Sequence, residues 1–331
     1  VENERPQCQT PQEHYIVKYQ QAVEFAEEQF SVGWSEREIP VEDDIQEFLT
    51  KATEADRQAL IIILKLFTKY ELEIGGNYWL DRVTKHFPRT DIRRMATAFG
   101  NTELNWHAPF YAKLNQALRL DSEEFYESYK QSPMLTERMQ FIADAVNSED
   151  DLLSLATFSM IEGAILYSAF AFLKHYRVGG KNLFKNLISG IDFSVRDENI
   201  HALGGAWLFK TLLEESNVSD ERRERLFNNI YTNAQTIVMH EAEIIHALFA
   251  NGEIPGINEE DMLNFVRSRV DQCLMNLGGK PIFQVQKDQN PIADWFYDNI
   301  NAIKFHDFFD TTGNEYNRNW NENSFDWGYT G

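Results

Sequence analysis

The stretch Ser194-Val195-Arg196-Asp197-Glu198-Asn199-Ile200-His201 sets a carboxylate and an imidazole three residues apart in a run without proline. On a helix, residues three apart share a face, so Glu198 and His201 point the same way. Such a pair can ligate a metal, and Glu-x-x-His is the signature of di-iron sites in helical bundles. An ordinary solvated helical turn shows the same spacing. The pair gains meaning only if other parts of the chain supply further ligands.

Three other segments do. In Glu103-Leu104-Asn105-Trp106-His107-Ala108-Pro109-Phe110-Tyr111, residues four apart share a helix face, so Glu103, His107 and Tyr111 form one stripe. Pro109 falls within that helix, where it removes a backbone bond and predicts a kink or bulge. The run Leu152–Leu173 (LLSLATFSMIEGAILYSAFAFL) carries a single formally charged residue, Glu162, at its middle. A lone carboxylate in an apolar helix costs roughly several kcal/mol unless it is neutralised or bound to a cation. Finally, Tyr70-Glu71-Leu72-Glu73-Ile74 offers two acids after an apolar stretch. Residues two apart cannot face the same way, so either Glu71 or Glu73 points inward, not both. A second Glu-x-x-His, Glu243-Ile244-Ile245-His246, with His240 and Glu241 nearby, lacks an acid immediately before its Glu and lies near a helix end at Asn251-Gly252. It reads as a structural helix face.

The elements that must position these residues are helical. Gly and Pro number only 17 and 9, and no sustained strand alternation is found. The spacing predicts helices near His14–Phe30, Glu54–Leu80, Arg89–Leu118, Ser122–Tyr129, Leu135–Val146 and Leu152–Leu173. Others are expected around Glu198 and His201, over Asp220–Ala250 and over Asn258–Leu277. Trp34–Pro40 reads as an extended loop, and Gly75-Gly76 is expected to loosen the helix that precedes it. Leu152–Leu173 is long enough to span a bilayer, but its central acid and the acidic remainder of the chain favour a buried bundle helix. No internal repeat is visible.

Composition narrows the function. The 331 residues are 43% hydrophobic, enough for a sizeable core, and the formal net charge is -21. That acidity excludes nucleic acid and membrane as expected partners, since both select basic surfaces. Cys8 and Cys273 are too few for a disulfide framework and are not spaced as a zinc site. No basic and apolar leader pattern opens the sequence, which predicts no signal peptide and a reducing, cytoplasmic setting. Four carboxylates and two imidazoles from four helices form the ligand set of a di-iron or di-manganese bundle. Oxygen donors with two imidazoles suit Fe or Mn and argue against structural zinc.

Taken together, FTKYELEIGG, NTELNWHAPFY, FSMIEGAILYSAF, SVRDENIHALGG and the aromatic tail from Asp310 resemble the small, radical-generating subunit of class I ribonucleotide reductase. The resemblance covers nearly the whole chain. It implies an all-α, ferritin-like bundle over residues 1–309, with a tail over 310–331 that docks a large catalytic subunit. It also implies a homodimer and a dinuclear metal site, with two Fe ions or, alternatively, Mn/Fe or two Mn. That site reacts with dioxygen to give a tyrosyl radical, which is passed to the large subunit for reduction of ribonucleotides. Carried over by position, the ligands are Glu71, Glu103, His107, Glu162, Glu198 and His201, and the radical residue is Tyr111. Asp197 resembles the acid that links a metal-bound histidine to a tryptophan, here Trp34. Phe170 and Leu166 are expected to keep the radical dry. Tyr316 is expected to relay it, upstream of the docking aromatics Phe325, Trp327 and Tyr329.

Two departures stand out. The family's commonest spacing from the second acid to its histidine is three residues; here it is four. Its first ligand is commonly Asp, where this chain has Glu, so the metal identity stays open. A ferritin-like oxidase acting on its own small substrate and a non-catalytic iron-binding bundle are the competing readings. Neither needs a docking tail or a Trp34–Asp197 relay.

Overall fold

With few helix breakers in the sequence, the helices run long and are stopped by specific contacts. The structure, a computed structural model, describes residues 5–297. The expectations on the segment from Asp310, Tyr316 included, lie outside the described residues. No strand occurs among the described residues. Helix α1 (Gln20–Ser31) begins later than the periodicity suggests. The reason is Asp91, whose Oδ2 accepts from the backbone N–H groups of Lys18 and Tyr19 at 2.9 and 3.0 Å. In the loop that follows, Ser35 and Glu38 form a capping box around one 3-10 turn.

Helix α2 (Glu54–Glu71) is opened by a capping box between Thr53 and Asp56. It does not loosen at Gly75-Gly76. It widens into a π-helical stretch, Leu72–Val83, and runs on to His86. Helix α3 (Thr90–Thr102) likewise passes through a π turn, Glu103–His107, before resuming over Ala108–Ala117. Helix α4 is Pro133–Val146. Helix α5 consists of Asp151–Met160, a π turn at Ile161–Ile165, and Tyr167–Lys174. Helices α6 (Lys185–Glu215), α7 (Asp220–Phe249), α8 (Glu259–Asn276) and α9 (Pro291–Phe296) complete the bundle.

The apolar run of α5 lies at the centre. Asp151–Arg177 is long and apolar enough to cross a membrane, yet its most apolar window is 100% buried in the bundle. Leu155, Phe158, Ile161, Ile165 and Phe172 fill the core there, each contributing about 1.5–3 kcal/mol of burial. Around α5 pack α4, α6, α7 and α8, while α1 lies on α3 and α6, and α2 crosses α3 and α7. The buried helix and the all-helical bundle are as the sequence led us to expect.

The crossing of α2 and α3 depends on Gly75. A Cβ placed there would lie 2.6 Å from the Glu103 Cβ and 3.2 Å from the Gly100 carbonyl oxygen, whereas a Cβ on Gly76 would meet nothing within 4 Å. Gly75→Ala should therefore cost about 1–3 kcal/mol in urea unfolding, as overpacking does. Gly76→Ala should stabilise by about 0.5–1 kcal/mol, the ordinary helical gain. Equal effects from the two changes would mean that the helices do not meet at Gly75.

Candidate metal centre

Glu71, Glu103, His107, Glu162, Glu198 and His201 converge at the middle of the bundle. Glu71 closes the regular part of α2, Glu103 and His107 bound the π turn of α3, and Glu162 sits in the π turn of α5. Glu198 and His201 share one face of α6. All six side chains are 0% exposed. Glu73, the alternative first ligand, points outward and pairs with Lys69 at 2.7 Å and Asn77 at 2.6 Å. Glu71 is the inward acid.

The donor atoms form two groups, Glu71, Glu103, His107 and Glu198, and Glu103, Glu162, Glu198 and His201, each within 4.8 Å. Glu103 and Glu198 belong to both. His107 Nδ1 lies 2.9 Å from one Glu103 oxygen and 3.3 Å from one Glu198 oxygen. His201 Nδ1 lies 2.6 and 3.8 Å from the other oxygen of each. Each of these two carboxylates thus faces both halves of the cluster, the arrangement of a bridging ligand.

The four-residue step in α3 has a physical origin. Pro109 cannot donate the bond that an α-helix would require of the Asn105 carbonyl, and the chain answers with a π turn just before it. The extra residue in that turn brings Glu103 and His107 to bearings that a three-residue step reaches on an ordinary helix. The unusual spacing is absorbed locally.

Buried polar atoms almost always find partners, yet this cluster is full of orphans. Both oxygens of Glu71, Glu103 and Glu198, Oε2 of Glu162, Nδ1 of His107 and both ring nitrogens of His201 make no hydrogen bond. Burial, then the neighbouring charge of Glu103, holds Glu71 well above the usual carboxylate range. Burial, then Glu198 and Glu103, does the same to Glu162. Burial opposes charge on Glu103 too, but the two histidines hold it well below that range. Burial would lower His201, yet Glu103 and Glu198 push it up to about 9. His107 is likewise driven up by Glu103 against its burial. Two divalent cations would balance four carboxylates and use the unpaired lone pairs, so the donor set fits a pair of transition-metal ions.

Beside the cluster, Asp197 is well supplied with partners. Asp197 Oδ2 receives Trp34 Nε1 at 2.8 Å and faces His107 Nε2 at 3.1 Å. Its Oδ1 receives Gln29 Nε2 at 3.1 Å and Arg196 Nη2 at 3.3 Å. With its proton on Nε2 toward Asp197, His107 presents a free Nδ1 lone pair to the cluster. Tyr111, one turn beyond His107, is fully buried; its hydroxyl donates to Ser194 Oγ at 3.2 Å. The Phe67 ring packs 4.5 Å from that phenol, with Phe170 6.0 Å behind Phe67. Leu166 is buried in the same core. Burial, then the charge of Glu71, raises the Tyr111 phenol well above its ordinary range.

Sequence reasoning missed three participants. Trp79 donates to Glu162 Oε1 at 2.5 Å; it stands eight residues after Glu71, on the same face of α2. Ser194 lies seven residues before His201, again at helical spacing. Gln29 gave no signal. The second Glu-x-x-His belongs to neither group: Glu243 and His246 are exposed, and His246 pairs with Glu259 at 3.1 Å. Glu241 is buried but taken by Arg138.

Comparison with known proteins agrees with this geometry. A sequence model of "Ribonucleotide reductase, small chain" matches residues 13–291. A probable ribonucleoside-diphosphate reductase small subunit of Invertebrate iridescent virus 3 is 26% identical over 303 residues, covering 86% of this chain and 78% of its own length. The ribonucleoside-diphosphate reductase subunit beta of Halalkalibacterium halodurans is 24% identical over 88% of this chain and 85% of its own. In three dimensions the dimanganese(II) NrdF of Streptococcus sanguinis superposes with a TM-score of 0.76 at 19% identity, covering 86% of this chain and 98% of the other. With the match spanning nearly all described helices and every residue of the buried cluster, the chain belongs to the family of ribonucleotide reductase small chains.

Proposed function

We propose that this small chain of ribonucleotide reductase holds two metal ions on Glu71, Glu103, His107, Glu162, Glu198 and His201, and stores a radical on Tyr111. The observation that carries the proposal is the pair of ligand groups sharing Glu103 and Glu198. When bound, the metal pair supplies one-electron oxidising chemistry with dioxygen. Fe and Mn both suit these donors, so two Fe, Mn/Fe and two Mn are all compatible with the site.

The chain's own residues do the rest. Glu103 and Glu198 face both metal positions, Trp79 orients Glu162, and Asp197 orients His107. Tyr111 is the redox-active side chain, with its O–H held by Ser194 Oγ. Phe67 and Phe170 keep water from the phenol. Trp34, Asp197 and His107 form an unbroken hydrogen-bonded line leading away from the cluster, which supports export of the radical. An oxidase with its own substrate or an iron-storage bundle has no use for such a line. The recipient is a large catalytic subunit that reduces ribonucleotides, docked by residues 310–331 with Tyr316 as relay. The working form is a homodimer, supported by exposed apolar side chains such as Leu72 on α2, 52% exposed. Two buried free thiols, Cys8 and Cys273, suit a reducing cytoplasm.

Metal analysis with electron paramagnetic resonance after aerobic loading tests the site. Glu162→Ala and His201→Ala should each hold fewer than two ions per chain, while Glu243→Ala and His246→Ala hold both. Tyr111→Phe should bind metal fully but show no tyrosyl signal; a persisting signal would place the radical elsewhere.

The tail is tested separately. Deleting the residues after Asn323 should abolish binding to the large subunit and leave the radical intact. Tyr316→Phe should bind normally but fail to turn over. Normal turnover would remove Tyr316 from the relay.

Sedimentation velocity at micromolar concentration should give a dimer mass. An active monomer would refute the proposed assembly.

A further inference from the structure

The π turn of α5 that carries Glu162 has a neighbour outside the ligand cluster. Arg269 on α8 is only 9% exposed. Its Nε donates to the Gly163 carbonyl at 3.0 Å, and its Nη1 donates to the Tyr297 hydroxyl at 3.1 Å. The guanidinium carbon stands 4.1 Å from the centre of the Tyr167 ring. These partners are all uncharged. A buried cation among neutral groups is costly, so its placement against this turn calls for a reason.

Gly163 makes the approach possible. A Cβ there would lie 2.4 Å from Cys273 Sγ and 3.2 Å from the Ala202 Cβ, so any larger residue would push α8 and α6 away from α5. A π turn competes with the ordinary helix, and its carbonyls fall out of the regular i→i+4 pattern. A strong donor set against one of those carbonyls favours the wide form. If the turn closed by one residue, Glu162 would swing by about 100° around the axis of α5, since a helix turns once in 3.6 residues. Its carboxylate would then leave both the cluster and the indole of Trp79.

We propose that Arg269 is a positioning residue for the metal centre. From α8 it holds the Ile161–Ile165 turn in its wide form and so fixes the bearing of Glu162, while Tyr297 anchors the guanidinium. The proposal rests on Glu162 being a ligand. It predicts an asymmetric effect, because Glu162 belongs to only one of the two donor groups.

Mn(II) titration of the full chain, following the free ion by electron paramagnetic resonance, reads the two binding steps. In Arg269→Met one step should weaken by about 10- to 100-fold, the usual effect of removing a group that orients a ligand, with the other unchanged. Arg269→Lys, which keeps a donor, should recover much of the loss. Leu274→Ala, on the same helix and fully buried, is the control; it should lower the unfolding midpoint and leave both steps alone. Arg269→Met binding both ions as the wild type does, or weakening both equally, would overturn the proposal. Should Arg269→Met fail to fold, Tyr297→Phe tests the same point: a several-fold weakening of that one step supports it, and no change refutes it. Glu162→Ala separates the two claims. If it retains both ions, the ligand reading fails and the Arg269 proposal falls with it. If it loses one ion while the Arg269 variants bind normally, only the role of Arg269 is wrong.

Discussion

Mutual repulsion of carboxylates in a dry core is the constraint on which this structure depends. Glu71, Glu103, Glu162 and Glu198 are wholly buried, with donor atoms in groups no wider than 4.8 Å. Each uncompensated charge in such a place costs several kcal/mol, roughly, and together they oppose the packing around them. The long apolar helices supply the opposing term, with α5 buried on every side. The core holds the fold together against this cluster, and in the proposed role of the six residues a pair of cations would turn that opposition into a bond between helices.

The polar atoms around the cluster are sorted accordingly. Asp197 is as buried as the ligands, yet four donors surround it, and they hold it ionised below the usual carboxylate range despite burial. The ligand carboxylates have almost no such partners. The hydrogen bonds on Asp197 suit an orienting group, and the bare oxygens of the four glutamates suit a cation. The contrast separates Asp197 from Glu198, although the two are adjacent in sequence. It also explains the indole of Trp79, which takes one oxygen of Glu162 and leaves the other free.

Much of this was legible in the sequence, because burial of an acid in an apolar run is a strong anomaly. Glu162 shows it most plainly, and the helical spacing of Glu198 with His201 needs no tertiary information. The choice of Glu71 over Glu73 was not legible. It follows from the direction α2 faces after it meets α3 at Gly75, and from the Lys69 and Asn77 side chains that hold Glu73 outside. The π turns were only partly legible. Pro109 announces the one in α3, but nothing in Ile161–Ile165 announces the other, since the group that favours it is an arginine more than 100 residues away. The late start of α1 was hidden for the same reason, with Asp91 distant in sequence from the backbone it captures.

The π turns sit where the acids of the cluster do. A carboxylate that faces two metal positions must approach with both oxygens, so the helices around it need particular bearings as well as particular residues. Helix α6 meets this with a regular three-residue step from Glu198 to His201. The other three helices of the cluster widen at or just after their acids, at Leu72–Val83, Glu103–His107 and Ile161–Ile165. Wide turns hydrogen-bond less well than ordinary ones and persist only where surrounding contacts favour them. Here those contacts are a proline that cannot complete the α-helix, a glycine that admits the neighbouring helix, and a buried arginine on a carbonyl. Three of the four helices that supply the cluster are widened at or just after their acids and the fourth is regular, so the cluster and the local fold are shaped together.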